Sequence, residues 1–262
     1  MNLHQCILTE NDCYKAGRRI VPKGVMVHST GANNPRLSRY VGPDDGLLGQ
    51  NPYGNHWNGP DVGACVHAFI GRLADGSIAT YQTLPWDMRG WHCASGPKGS
   101  GKDTHISFEI CEDGLTDAGY FAAVYREAVE LTAMLCGAYG LDPLADGVVI
   151  CHQEGYQRGI ASNHADVLHW FPRFGRSMDD FRADVAREME DKMTQEQFNA
   201  MLKSALTEER AAVNQQPAAD WAQAVWEKAT AAGVFDGSRP NAPLTRQEAA
   251  LVLDRLGLIQ EV

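Results

Sequence analysis

The stretch Val25-Met26-Val27-His28-Ser29-Thr30-Gly31 decides the fold class, because three apolar residues in a row are followed at once by polar residues and a glycine. A short apolar run with such a boundary is typical of a buried β-strand. Four more runs of this kind follow, at residues 64–72, 77–84, 105–111 and 148–152. Together these runs predict a central β-sheet.

Two helices are predicted beside these strands. Between residues 117 and 139 apolar side chains recur at helical spacing, and Gly140 follows as the expected stop. A second helix is predicted from Ser177, which can cap it together with Asp180, to about residue 190. The turn Asp75-Gly76 is expected to join two strands as a hairpin. The expected fold class is therefore α/β, with a central mixed β-sheet flanked by helices.

The composition of the chain excludes several classes of protein. It has 262 residues, 44% of them hydrophobic, and its net charge of −10 disfavours nucleic-acid binding. The seven cysteines show no regular spacing and no CxxC pair, so neither a disulfide framework nor a zinc ribbon is expected. No apolar run is long enough to span a membrane, and the N-terminal residues lack the pattern of a secretory signal. We therefore expect a protein made in the cytoplasm without a signal peptide, with no membrane partner.

We expect two domains joined by a linker. Residues 1–190 would form the larger domain, because they hold all the predicted strands. Residues 191–216 are mostly polar and helix-forming, with a capping-box pattern that begins at Thr194, and they predict a helical linker. Residues 217–262 predict a small helical unit whose last helix is capped by Thr245.

Two histidines lie at the ends of two predicted strands, at equivalent positions, and His28 is expected at the exposed end of its strand. His28 comes directly after one apolar run, and His152 comes directly after another. Strand ends hold imidazoles in fixed places at one edge of a sheet, which is the arrangement that a tetrahedral metal site needs. Either histidine alone is more often a hydrogen-bonded structural residue, but the pairing favours a metal site. The segment 162–171 offers three candidates for a further ligand, namely His164, Asp166 and His169.

Five fragments of the chain form a recognisable series. In order, they are Val27-His28-Ser29-Thr30-Gly31, Val66-His67-Ala68-Phe69-Ile70 with Asp75-Gly76, Gly90-Trp91-His92, Ile106-Ser107-Phe108-Glu109 and Val149-Ile150-Cys151-His152. Over about residues 25–171 the chain thereby resembles the type 2 N-acetylmuramoyl-L-alanine amidases, in particular prophage endolysins of Gram-positive bacteria. The resemblance implies the amidase and peptidoglycan-recognition fold and a bound Zn²⁺. It also implies hydrolysis of the bond between N-acetylmuramic acid and L-alanine in peptidoglycan.

The resemblance also implies roles for individual residues. In that family the third zinc ligand is a cysteine or aspartate two residues after a catalytic lysine. On this chain the pattern implies that His28, His152 and Asp166 bind zinc, with His164 as a catalytic residue in place of the lysine. In an alternative assignment His164 binds the metal and Asp166 orients a ligand imidazole. His169 is expected to pack or to support its neighbours.

Glu109 is the expected general base, because cytosolic members of the family carry a catalytic glutamate at the matching place. The alternative is an exposed strand glutamate without a catalytic role. His67, Trp91 and His92 are expected to line the cleft and bind substrate. Two rival functions are a non-catalytic peptidoglycan-binding module and a thiol amidase that uses Cys151.

The end of the chain has a second resemblance. Trp221-Ala222, then Gly233-Val234 with Gly237, then Thr245-Arg246 with Glu248 resemble the surface-layer-homology pattern, which implies binding to a secondary cell-wall polymer. The groups there that suit sugars are Trp221, Arg239 and Arg246. The alternative is a helical hairpin that forms a homodimer. An endolysin of this kind would act on the cell wall after release from the host cytoplasm, and host lysis is its expected role.

Overall fold

The chain divides into two units, Met1–Lys192 and Met193–Val262. The structure is a computed structural model, and it describes residues 1–191 and 195–259. Thr194, where the sequence predicts the capping box of the linker, lies outside the described residues. Among the helices that are described, none has both the length and the apolar character needed to cross a membrane.

The first unit is built on a six-stranded sheet. Its strands are β1 (Leu3–Gln5), β2 (Gly24–Ser29), β3 (Ala68–Arg72), β4 (Ile78–Gln82), β5 (His105–Ile110) and β6 (Val149–Cys151). They lie in the order β1-β4-β3-β5-β2-β6, and every neighbouring pair is parallel except the hairpin of β3 and β4. The predicted mixed sheet is therefore confirmed. The sequence did not predict β1, because this short edge strand carries no apolar run.

Four α-helices accompany the sheet in the described part of the first unit. They are α1 (Asp12–Ala16), α2 (Ala118–Tyr139), α3 (His152–Gln157) and α4 (Met178–Asp191). The side chain of Asp117 caps α2 by accepting from the backbone N–H of Tyr120 at 3.0 Å, and Gly140 ends it in the left-handed conformation. The two short helices α1 and α3 were not predicted, because neither is long enough to show helical periodicity.

Alternation along β2 separates a core face of the sheet from a site face. Val25 and Val27 are fully buried in a core that includes side chains of α2 and α4. Met26 lies on the opposite face, in a small cluster with Ile150 of β6. Since side chains of a strand alternate between faces, His28 shares the face of Met26. The fold thus presents His28 on the face away from α2.

The second unit contains three described helices, α5 (Gln195–Gln215), α6 (Asp220–Ala231) and α7 (Arg246–Arg255). The helix α5 covers most of the segment that the sequence predicts as a linker. Thr245 and Glu248 form the predicted capping box at the start of α7, with the N–H of Glu248 donating to Thr245 Oγ1 at 3.2 Å. Of the side chains described between residues 198 and 259, none is buried.

Candidate active site

Three elements of the sheet bring the predicted site residues together. His28 lies near the end of β2, and its Cα is paired in register with that of Glu109 on β5. On the other side of β2, β6 ends at Cys151, and His152 is the first residue of α3. Because all these strands are parallel, their carboxyl ends meet at one edge of the sheet.

His28, His152 and Asp166 form a group of three donors whose atoms face one another. His28 Nδ1 lies 3.0 Å from Asp166 Oδ2 and 3.1 Å from His152 Nδ1, and His152 Nδ1 lies 3.6 Å from Asp166 Oδ1. Zinc bonds of about 2.0–2.1 Å at tetrahedral angles put ligand atoms about 3.3 Å apart. Two imidazoles and a carboxylate are also donor types that zinc prefers. The three residues therefore fit a zinc ion with one coordination position left open.

Protonation in this group also suits a cation. Burial lowers the pKa of His28 despite the neighbouring carboxylate, so its imidazole tends to be neutral, which is the form that binds a metal. Burial opposes ionisation of Asp166, but hydrogen bonds from His152 and His28 prevail and hold the pKa of Asp166 far below its usual value. The carboxylate is therefore charged at neutral pH.

A second layer of side chains fixes the orientation of both imidazoles. His28 Nε2 lies 3.0 Å from His92 Nδ1, and His152 Nε2 lies 3.2 Å from Ser162 Oγ. Ser162 Oγ also lies 3.1 Å from His164 Nδ1, so His164 is tied to the group without joining it. Anchoring the outer nitrogen of each ligand imidazole directs the inner nitrogen toward the centre. Ser162 had no assigned role, since nothing in its local sequence distinguishes it.

Glu109 lies beside the three donors and faces the same space. Burial raises the pKa of Glu109 well above its usual value, and the nearby carboxylates of Asp166 and Glu112 add to the effect. Its Oε2 is buried and has no hydrogen-bond partner among the described residues. A carboxylate with a raised pKa is a stronger base, so this environment suits proton transfer.

A cavity of about 870 Å³ opens over this group. Most residues predicted for the site line it, namely His28, Trp91, His92, Glu109, His152, His164, Asp166 and His169. His67 differs from the expectation, because it is fully buried and does not line the cavity. Its Nε2 lies 2.7 Å from the carbonyl oxygen of Met88, and its Nδ1 accepts from the N–H of Ser107 at 3.0 Å. Burial lowers the pKa of His67 to about 4, so it is a neutral internal support.

His169 and Glu112 form a further contact at the edge of the cavity. His169 Nε2 lies 3.0 Å from Glu112 Oε1, and the same buried carboxylate oxygen accepts from the N–H of Gly31 at 3.1 Å. The pair thereby holds the turn that follows β2, which agrees with the supporting role expected for His169. Three cationic residues also line the cavity, although no motif in the sequence marks them: Arg18, Arg89 and Lys102.

Cys151 is poorly suited to act as a nucleophile. Its side chain is fully buried in the core on the face opposite the site, together with Val149. Burial raises the pKa of the Cys151 thiol to about 11, so the thiolate is scarce at neutral pH. These observations argue against the thiol amidase.

The second unit has a cavity of its own, of about 340 Å³. Of the residues expected to bind the wall, Arg239 lines it, while Trp221 and Arg246 do not. Trp221 is 88% exposed and lies near the start of α6. The three residues are thus not gathered around one cavity.

Comparison with known proteins identifies the family. Residues 17–168 match the family described as N-acetylmuramoyl-L-alanine amidase, which is more than half of the chain. Staphylococcus aureus hydrolase AmiA, solved in complex with its ligand, is 21% identical with a TM-score of 0.50, covering 73% of this chain and 84% of AmiA. A mutant endolysin from Bacillus subtilis is 23% identical with a TM-score of 0.47, covering 71% of this chain and 99% of its own. No curated protein gives a significant match.

Proposed function

Because this chain belongs to the N-acetylmuramoyl-L-alanine amidase family, we propose that it is a zinc-dependent enzyme that hydrolyses the amide bond between N-acetylmuramic acid and L-alanine in peptidoglycan. One observation carries the zinc dependence: the donor atoms of His28, His152 and Asp166 converge at the spacing of a tetrahedral zinc site. The adjacent base Glu109 and the large cavity support hydrolysis rather than binding alone.

The residues divide the work of the reaction between them. Bound zinc would supply Lewis acidity, which acidifies water and polarises a carbonyl group. Glu109 takes a proton from the attacking water and delivers it to the leaving nitrogen of alanine, so that a C–O bond forms as the C–N bond breaks. His164, when protonated, stabilises the negative charge that develops on the carbonyl oxygen. His92 and Ser162 keep the imidazoles of His28 and His152 aligned throughout.

For the second unit we propose targeting rather than chemistry. It holds none of the proposed ligands or bases, all of which belong to the first unit. Its resemblance to surface-layer-homology repeats supports binding to a secondary cell-wall polymer, and Arg239, which lines its cavity, is a group that suits an anionic sugar. Homodimerisation through its helices and host lysis after release from the cytoplasm stay predictions.

Mass spectrometry of the products tests the proposed function. Purified peptidoglycan incubated with the full-length protein should release peptides that begin with L-alanine and leave glycan strands with intact lactyl groups. A chelator should stop this release, and added Zn²⁺ should restore it. Wall binding without any product would instead favour the non-catalytic module. Products cut at a sugar linkage or within the stem peptide would contradict the amidase assignment.

A further inference from the structure

Three cationic side chains share the cavity with the catalytic group. They belong to Arg18, Arg89 and Lys102, which all line it. The only carboxylates among the described lining residues are Glu109 and Asp166, and both have a role in the proposed reaction. The whole chain carries a net charge of −10, so an excess of basic residues in the composition does not explain why three cations lie together here. We call these three residues the cationic wall.

One carboxylate outside the cavity lining anchors both guanidinium groups. Arg89 Nε donates to Asp103 Oδ1 at 2.5 Å, and Arg18 Nη2 lies 4.0 Å from the same oxygen. The backbone links the two arginines as well, because the N–H of Arg89 donates to the carbonyl oxygen of Arg18 at 2.8 Å. The side chain of Arg89 is only 13% exposed, so its position is well defined. The single negative charge of Asp103 thus holds the two positive charges of Arg18 and Arg89 in place. It neutralises only one of them.

Lys102 adds a second unbalanced charge. Its backbone is fixed in the short 3-10 turn Gly101–Asp103, where its N–H donates to Ser100 Oγ at 3.3 Å. The side chain is half-buried, and its ammonium has no hydrogen bond or ion pair within the part of the chain that the structure describes. Removing an ammonium group from water without a partner is unfavourable. A partner that arrives with the substrate would compensate for this loss.

We propose that the cationic wall binds a free carboxylate on the second residue of the stem peptide. This residue comes directly after the L-alanine whose amide bond is cleaved. The proposal rests on the proposed function, because it takes the scissile amide to lie at His28, His152 and Asp166. His92 contacts His28, and the three residue steps from Arg89 to His92 span at most about 10 Å along the backbone. The second residue of an extended stem peptide lies about 3.8 Å beyond the first, within that reach. Arginine and lysine are suited to this task, since charge-assisted hydrogen bonds to carboxylates are strong and directional.

Equilibrium binding of two matched probes tests the assignment. The probes are N-acetylmuramoyl-L-alanyl-D-glutamic acid and N-acetylmuramoyl-L-alanyl-D-isoglutamine, which differ only in whether one carboxyl group is free or amidated. Calorimetry on the full-length, zinc-loaded Glu109→Gln protein, which should cleave them more slowly by on the order of 10²-fold or more, should give about tenfold tighter binding of the free acid. Adding Lys102→Met should remove most of this preference, while Lys102→Arg should retain it. Lys23→Met, at an exposed lysine outside the cavity, is the matched control and should leave the preference intact.

Two results would overturn the cationic wall as a carboxylate site. The first is equal affinity for the two probes. The second is a preference for the acid that survives both Lys102→Met and Arg18→Met. If the Lys102→Met protein does not fold, Arg18→Met tests the proposal alone. That substitution should be tolerated, because the side chain of Arg18 is 65% exposed. Cleavage assays with the wild-type protein separate this proposal from the proposed function. Selective binding of the acid without cleavage of either probe would refute the amidase and leave the carboxylate site standing.

Discussion

The two units of this protein differ in how much side chain they bury. In the first, large residues such as Phe108, Trp170 and Phe171 are fully buried around the sheet. In the second, none of the side chains described from residue 198 onward is buried, and Trp221 and Val225 are 88% and 69% exposed. A metal site needs side chains held to within about half an ångström, which only a packed surrounding provides. A large contiguous patch of exposed apolar side chains, by contrast, is typical of a surface that binds a partner.

The largest effect should come from the metal ligands of the first unit. His28→Ala should reduce zinc from about one per chain to almost none and lower cleavage of a small muramoyl peptide by more than about 10³-fold, because the group loses one of three donors. Metal analysis and a cleavage assay measure both. The matched control is His4→Ala, at a histidine on β1 across the sheet. A folded His28→Ala protein that keeps both zinc and activity would refute the metal site.

A pair of aromatic substitutions, one in each unit, tests the difference in burial directly. Phe108→Ala should lower the free energy of unfolding of the first unit by about 3–5 kcal/mol, because it leaves a cavity in a packed core. Trp226→Ala removes a side chain that stacks on Phe235 at 5.0 Å but is only partly buried. It should lower the free energy of unfolding of the second unit by no more than about 1.5 kcal/mol. Denaturant titration measures both, and equal losses would mean that the second unit has a core of its own.

Within the first unit, Glu109→Gln should separate catalysis from metal binding. The variant should keep its zinc and its fold while turnover falls on the order of 10²-fold or more, because an amide cannot accept the proton from water. Glu10→Gln, at an exposed glutamate, is the control. Near-normal turnover would mean that another residue lining the cavity is the general base, and His92 is the next candidate.

The smallest effect is expected when the second unit is removed. A protein that ends at Glu190 should cleave a small muramoyl peptide within about twofold of the full-length rate, since every proposed ligand and base precedes this residue. Its binding to intact walls should weaken on the order of tenfold or more, because a second point of attachment is lost. Pull-down with purified walls and a cleavage assay report the two quantities. Loss of cleavage in a truncated protein that circular dichroism shows to be folded would mean that the second unit contributes to catalysis.

Local signals explain why much of the fold could be predicted from sequence. The strand that contains His28, the hairpin turn at Gly76 and the helix between Asp117 and Gly140 each depend on neighbouring residues, so their patterns are visible in the chain itself. The short elements β1 and α3 lack such patterns, and both were missed. Their positions follow from the pairing of β1 with β4 and from the way the chain leaves β6.

For the site, the sequence by itself determined which residue types were available, and the tertiary structure decided which of them meet. Residues near the ends of parallel strands, such as His28 and Glu109, are predictable neighbours, because their strands pair in register. The choice between His164 and Asp166 depended on the path of an irregular segment, and only folding brings the carboxylate of Asp166 to the two imidazoles. His67 was misplaced for the same reason: the sequence locates it beside a strand, but burial depends on what packs over it. Contacts between residues far apart in the chain carry no local signature in the sequence, because they form only when separate elements pack against one another.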